Sequence, residues 1–409
     1  MRAQHTAYPL PAYPVYSCTF VADDLLVAGG GGGTSRSGIK NKLKLFRISH
    51  NRELASVSEL ELGKDEDAPM SMAADLESQT LVCGINSAVA KLDKGENENC
   101  RKFSISGAEH KFTPLATRGT LPFVNKEDYQ RVTVLSPDVR VVAVAGEHDL
   151  TLLAHNNLSP VAQPIHVAKG EIYDATLSSS HLILATTVSL LVYILPASLR
   201  CREKGKEKED HLLVSPDIST LPELTLVKTI EIPAISGVPA GATATFRAAR
   251  LQPTKTDLLY SVVNVTLPRA RKAKTAAKQA YVLKWSISTS DDTTFSATLE
   301  ASRKVSKGNL TCFDVSRDGR LLAFGVSDYS LGVLDANTLA PLLSILKAHE
   351  FPITTLRFNP SSRLLVSGGV DSVIRVVTIP EKFGGLPWSV IILIALALLA
   401  VILAIFLGN

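Results

Sequence analysis

Cysteine is scarce in this 409-residue chain: five residues, and none of them (Cys18, Cys83, Cys100, Cys201, Cys312) stands in a C-x-x-C pair. That scatter argues against a zinc ribbon or a disulfide framework and fits reduced thiols in a reducing compartment. A one-sided charge is missing too. Lys and Arg number 43 against 39 Asp and Glu, for a net charge of +4, and so weak a balance does not suggest a nucleic-acid partner. The opening MRAQHTAYPLPAYPVYS holds no continuous apolar core, so no signal peptide is read there. A G-x-S-x-G elbow is absent, and His148 and His155 lack partners at metal-ligand spacing. No enzyme active site emerges.

Glycine, by contrast, is concentrated. Residues 28–43 read AGGGGGTSRSGIKNKL, between the apolar run Leu25–Ala28 and the alternating stretch Leu43–Ile48. A P-loop requires G-x-x-x-x-G-K-[ST] opening a helix, because the lysine and the helix N-terminus meet the phosphates. Gly33 and Gly38 have the right separation, but Ile39 and Lys40 stand where Lys and Ser/Thr are needed. The dinucleotide pattern G-x-G-x-x-G finds no register, and the flanks alternate as strands do. The segment reads as strand-loop-strand, with glycines serving a backbone that takes positive φ or gathers its carbonyls.

Long apolar runs are confined to the C-terminus. Trp388–Leu407, WSVIILIALALLAVILAIFL, carries no charge, and about 20 such residues cross a bilayer as a helix. The expectation is a single membrane helix at 387–407 with residues 408–409 on the lumenal side. Residues 1–380 would then form a cytosolic domain, in a tail-anchored arrangement.

Internal repeats point to the architecture of that domain. VSRDGRLLAFGVSD (315–328) aligns without gaps to FNPSSRLLVSGGVD (358–371), matching at Arg320/Arg363, Leu321/Leu364, Leu322/Leu365, Gly325/Gly368 and Asp328/Asp371. LSPDVRVVAVAGEH (135–148) is a weaker echo, and hairpin-like units recur at 25–48, 80–92, 181–195 and 257–285. About seven units with a period near 40–45 residues predict an all-β fold, a seven-bladed WD-repeat-like β-propeller, in which each blade covers its neighbour's sheet. His349, Ser367 and Asp371 fit the structural hydrogen-bond chain of such a repeat better than a catalytic triad, and Val377 holds the position of the usual tryptophan. The charged run 201–210 reads as a solvated insertion. The basic segment 268–279 reads as a hairpin tip, with anionic headgroups as the alternative contact. The acidic run Asp65-Glu66-Asp67 reads as a solvated connection between blades.

The motif VAGGGG…GI-x-NKL, Val27 to Leu43, together with the Tyr13-Pro14-Val15-Tyr16 strand, a cytosolic propeller and a membrane helix, resembles a known family. This is the ER-anchored WD-repeat guanine-nucleotide exchange factors that activate Sar-type small GTPases and start COPII coat assembly in ER-to-Golgi transport. The resemblance implies a non-enzymatic exchange factor at the endoplasmic reticulum membrane and a protruding loop that binds potassium and engages the GTPase. Carried onto this chain, it implies Gly29, Gly30, Gly31, Gly32 and Asn41 around the ion. It likewise implies Ile39, Lys40, Asn41, Pro69 and Met70 against the GTPase. Ile39, apolar in an otherwise polar loop, is the expected anchor, with its side chain in solvent. The four residues Thr34–Ser37 lengthen the loop between its glycine cluster and Gly38. A tail-anchored WD-repeat scaffold without exchange activity and a transcription-linked WD-repeat regulator are the alternative readings.

Overall fold

The sequence repeat has a local cause that is visible at the turn entering the second strand in three of the blades. In LSPDVR, the Ser136 hydroxyl donates to Asp138 (2.6 Å), Arg140 Nε donates to Asp138 (2.7 Å), and Val141 N donates to Ser136 Oγ (3.0 Å). Ser316, Asp318, Arg320 and Leu321 repeat these bonds at 2.6, 2.7 and 2.9 Å. In the last repeat Asn359 Oδ1 replaces the serine, accepting from Arg363 N and Leu364 N. The fourth residue of each turn, Val139, Gly319 and Ser362, adopts positive φ of 60–70°. Side-chain-to-backbone bonds of this kind build tight turns.

In the computed structural model, residues 4–35, 37–107, 109–122, 125–200, 217–271, 273–289, 294–381, 383 and 396 are described. Seven four-stranded antiparallel sheets follow one another along the chain. The first comprises Val15–Phe20, Leu25–Gly30, Lys42–Ile48 and Leu54–Glu61, and the second Ser71–Asp75, Thr80–Gly84, Cys100–Ser106 and Lys111–Arg118. The seventh joins Ile353–Phe358, Leu364–Gly369 and Val373–Thr378 to a strand from the opposite end of the chain, Gln4–Pro9, paired from Gln4 with Thr378 to Pro9 with Val373. This pairing closes the ring and removes the open edge that a linear array of sheets would leave.

Second strands are buried on both faces, as in Leu25–Gly30, Val141–Ala145 and Leu321–Val326. That explains their continuous apolar runs, since a strand sandwiched between two sheets has no solvent face. Apolar contacts run between neighbours: Leu43, Leu45, Met72, Leu81 and Phe103 join the first two blades. Val15, Leu26, Val366 and Ile374 join the first to the seventh.

Two of these expectations change, and two others lie outside the described residues. The unit at 80–92 is not a hairpin: after Thr80–Gly84 the chain forms a short helix, Val89–Leu92, and the next strand is Cys100–Ser106. Asn97 and Asn99 hold this excursion, through Asn97 Oδ1 to Ser87 N and Asn99 to Thr120 and Gln130. The acidic run is not wholly solvated, as described below. The apolar stretch 387–407, save Leu396, and the insertion 201–210 lie outside the described residues, and no helix among the described residues is long and apolar enough to cross a membrane. The basic segment 268–279 does join the strands Lys255–Thr266 and Lys278–Thr289 as an exposed tip.

Candidate functional site

The glycine loop rises from the end of Leu25–Gly30 and returns into Lys42–Ile48. Its base is pinned by Tyr13, whose buried hydroxyl lies 2.8 Å from the Ala28 carbonyl and 2.9 Å from that of Lys42. Gly29 and Gly30 belong to the sheet, paired with Leu43 and Lys42 on one side and with Ser17 and Val15 on the other. A Cβ on Gly30 would sit 2.2 Å from the Pro14 carbonyl oxygen, so only glycine fits there. Gly31 and Gly32 form the neck, and Gly33 follows at φ +63°.

Asn41 is the clamp. Its Oδ1 accepts from Gly33 N (2.9 Å), while Nδ2 donates to the carbonyls of Gly33 (2.9 Å) and Glu66 (2.6 Å). One nearly buried amide therefore ties the neck to the connection between blades one and two. Lys40 is exposed and ion-paired with Glu61, and Lys42 pairs with Glu59 at 2.7 Å. Surface pairs of this kind contribute little to stability. Ile39 is half-buried rather than free in solvent, with its Cβ packed over Gly32. Pro69 is buried; its carbonyl accepts from the Ser17 hydroxyl, and its ring crowds Gly29. Met70 is partly buried at the mouth of the central channel. The loop and Met70 share one end of the ring, because the end of each second strand lies beside the start of the innermost one, as Gly30 does beside Val15.

Two residues that sequence reasoning placed in solvent belong to this neck. Glu66 pairs with Arg101 (2.8 Å) and accepts from Gly63 N (2.7 Å). Asp67 accepts from Ala68 N, and its carboxylate lies 3.4 Å from where a Gly33 Cβ would stand. Burial pushes the Asp67 carboxyl above its ordinary range, and among the described residues it has no basic partner. A desolvated, unpaired carboxylate beside a glycine neck is a reason for a cation there. The run Asp65-Glu66-Asp67 immediately ahead of a buried Ala68-Pro69 was the available signal.

His349, Ser367 and Asp371 form a buried chain: Nδ1 to Asp371 at 3.0 Å and Nε2 to Ser367 Oγ at 2.8 Å. Ser367 is fully buried in mid-strand, with no access for a substrate. Asp371 also accepts from Glu350 N at 2.9 Å, which ties the entry of the last blade to its hairpin. Ser367→Ala is expected to cost about 1–2 kcal/mol of folding stability, because His349 Nε2 is left without its partner. Urea denaturation measures that loss. A fully stable variant would show that the chain bears no structural load.

Residues 340–377 match the WD domain, G-beta repeat family. The guanine nucleotide-exchange factor SEC12 of Candida glabrata is 25% identical over 386 residues, covering 93% of this chain and 73% of that protein. SED4 of the same yeast is 23% identical over 385 residues, covering 91% of this chain but 32% of its own length. This chain is a distant homologue of SEC12 and SED4. Its relationship to SEC12 extends over nearly the whole chain. Among solved structures, Raptor of Chaetomium thermophilum superposes with a TM-score of 0.59 at 11% identity, over 94% of this chain and 29% of that one. At that identity the likeness is one of fold alone.

Proposed function

We propose that this SEC12-like protein is a guanine-nucleotide exchange factor that promotes GDP release and GTP loading on a Sar-type small GTPase at the endoplasmic reticulum membrane. It would thereby initiate COPII vesicle formation, with its propeller in the cytosol. The observation that carries the reading is the glycine neck, clamped by Asn41 and projecting beside the channel mouth, in a chain related to SEC12 over nine-tenths of its length. A loop held before binding loses less entropy on docking. Exchange then follows by linkage: a factor that prefers the nucleotide-free GTPase weakens GDP by the same factor, and no covalent chemistry is needed.

Potassium is the proposed cofactor. Carbonyl oxygens suit a large, weakly hydrated monovalent cation, and Asp67 supplies a single uncompensated charge beside the neck. Gly31, Gly32, Asn41 and Asp67 would hold it; Gly29 and Gly30 let the strand run close to Pro14 and Pro69. The bound ion would supply fixed positive charge that keeps the loop erect.

The test is fluorescence-monitored GDP release from a Sar-type GTPase with the full chain in detergent, across a potassium series at constant ionic strength. Release should accelerate with potassium and fall when sodium replaces it. Asn41→Ala should slow release by roughly tenfold or more, since about 1.4 kcal/mol per decade makes even one lost clamp bond visible. No acceleration under any condition would favour the scaffold reading. Acceleration indifferent to the cation would remove potassium and leave the exchange function standing.

A further inference from the structure

The innermost strands of five blades share one irregularity. The register slips by one residue between Val15 and Ser17, Ile172 and Asp174, Phe246 and Ala248, Leu310 and Cys312, and Ile353 and Thr355. The residues passed over are Tyr16, Tyr173, Arg247, Thr311 and Thr354, and all five line the central channel, a cavity of about 390 Å³. A β-bulge re-aims the side chain it displaces. Here the displacement recurs at one level, at the strand entry, so the five side chains form a collar around one mouth of the channel. That mouth opens on the same end of the ring as the glycine loop.

The chemistry of the collar is uneven. Deeper in the channel each arginine has its own carboxylate: Arg250 contacts Asp174, and Arg357 lies 3.6 Å from Asp314. Arg247 has none among the described residues. Its guanidinium stands over the Tyr173 ring, 4.9 Å from the centroid, and donates to the Thr311 carbonyl. Arg131, which also lines the channel, is by contrast engaged: it stands over Tyr129 at 5.3 Å, donates to Glu171 at 2.8 Å and lies 3.4 Å from Glu147. At Arg247 stacking occupies a face of the guanidinium, and beyond the bond to Thr311 its remaining in-plane N–H groups are of the kind that match the oxygens of a carboxylate or phosphate.

We propose that this collar is an oxyanion-binding site, taking one phosphate or carboxylate group against Arg247. The assignment does not depend on the exchange function, because it rests on the bulges and on the Arg247 guanidinium, which has no carboxylate partner among the described residues. The oxyanion has two possible sources, a free small anion or the acidic side chain of a docked polypeptide.

The test is isothermal titration of the full chain in detergent, at fixed ionic strength, with inorganic phosphate and separately with a short glutamate-rich peptide. Binding of phosphate, weakened at least tenfold in Arg247→Gln and only partly restored by Arg247→Lys, supports a free anion as the source. Binding of the peptide alone with the same dependence supports an acidic side chain. Arg317→Gln, an exposed arginine away from the channel, should change neither. If neither probe binds, or if binding is the same in Arg247→Gln as in the parent, the proposal is overturned. Thermal denaturation of each variant separates loss of the site from loss of the fold.

Discussion

Ile39→Asp should slow GDP release about thirtyfold while the propeller keeps its fold. Ile39 is the apolar side chain nearest the tip of the loop, half-buried over Gly32. An anchor of that kind, exchanged for a charge facing an apolar pocket on the GTPase, costs roughly 2 kcal/mol or more of the interaction. The core is little affected, because the residue belongs to the neck and none of the blade clusters includes it. Its contact with Gly32 still predicts a small fall in melting temperature. The check is GDP release and thermal denaturation on the same preparation. A rate equal to the parent's would remove Ile39 from the interface. A melting temperature lowered by more than about 8 °C would mean that Ile39 acts through the fold, since about 1 kcal/mol corresponds to a few degrees in a domain of this size.

Acid should destabilise the propeller through His155, by about 3 kcal/mol between pH 6.5 and pH 4. The ring lies at the junction of the second and third blades, only 8% exposed, with Nε2 3.2 Å from the Thr80 hydroxyl. Burial pushes its pKa down to about 4, and the neighbouring Lys102 ammonium adds to that, while Asp75 partly opposes it. Lys102 cannot move away easily, because its Nζ donates to the His155 carbonyl at 2.6 Å. An unfolded histidine binds its proton near pH 6.5, so the unfolded state gains the proton first. Stability is complete above that pH and is lost as pH falls towards 4. Urea denaturation at pH 7 and pH 4.5 measures the loss in the parent and in His155→Gln. The variant should show a smaller drop by about the stated amount. An equal drop in both would assign the acid sensitivity to other groups.

Local sequence was sufficient for the blades because the signals that build them are local. The turns at Ser136-Asp138-Arg140 and Ser316-Asp318-Arg320 close on themselves within six residues, so their pattern survives in the sequence as a recognisable repeat. The buried second strands are continuous apolar runs for a reason that holds wherever two sheets enclose a third. The structural roles of His349, Ser367 and Asp371 followed from the same repeat. The second blade misled because a helical excursion, Val89–Leu92, separates strands that usually meet in a tight turn. Nothing in SAVAKL marks it as lying outside the sheet.

The sequence by itself determined the fold class, the number of blades and the placing of the glycine loop between two strands, since strand periodicity, turn chemistry and glycine clustering act over a few residues. The tertiary structure alone decided which strand closes the ring, that Asp67 is desolvated beside Gly33, and that Tyr16, Tyr173 and Arg247 meet at one channel mouth. Each of these depends on partners distant in the chain, such as Gln4 against Thr378. Burial and unmet charge are properties of the assembled surroundings, and a residue's own neighbours in sequence do not carry them.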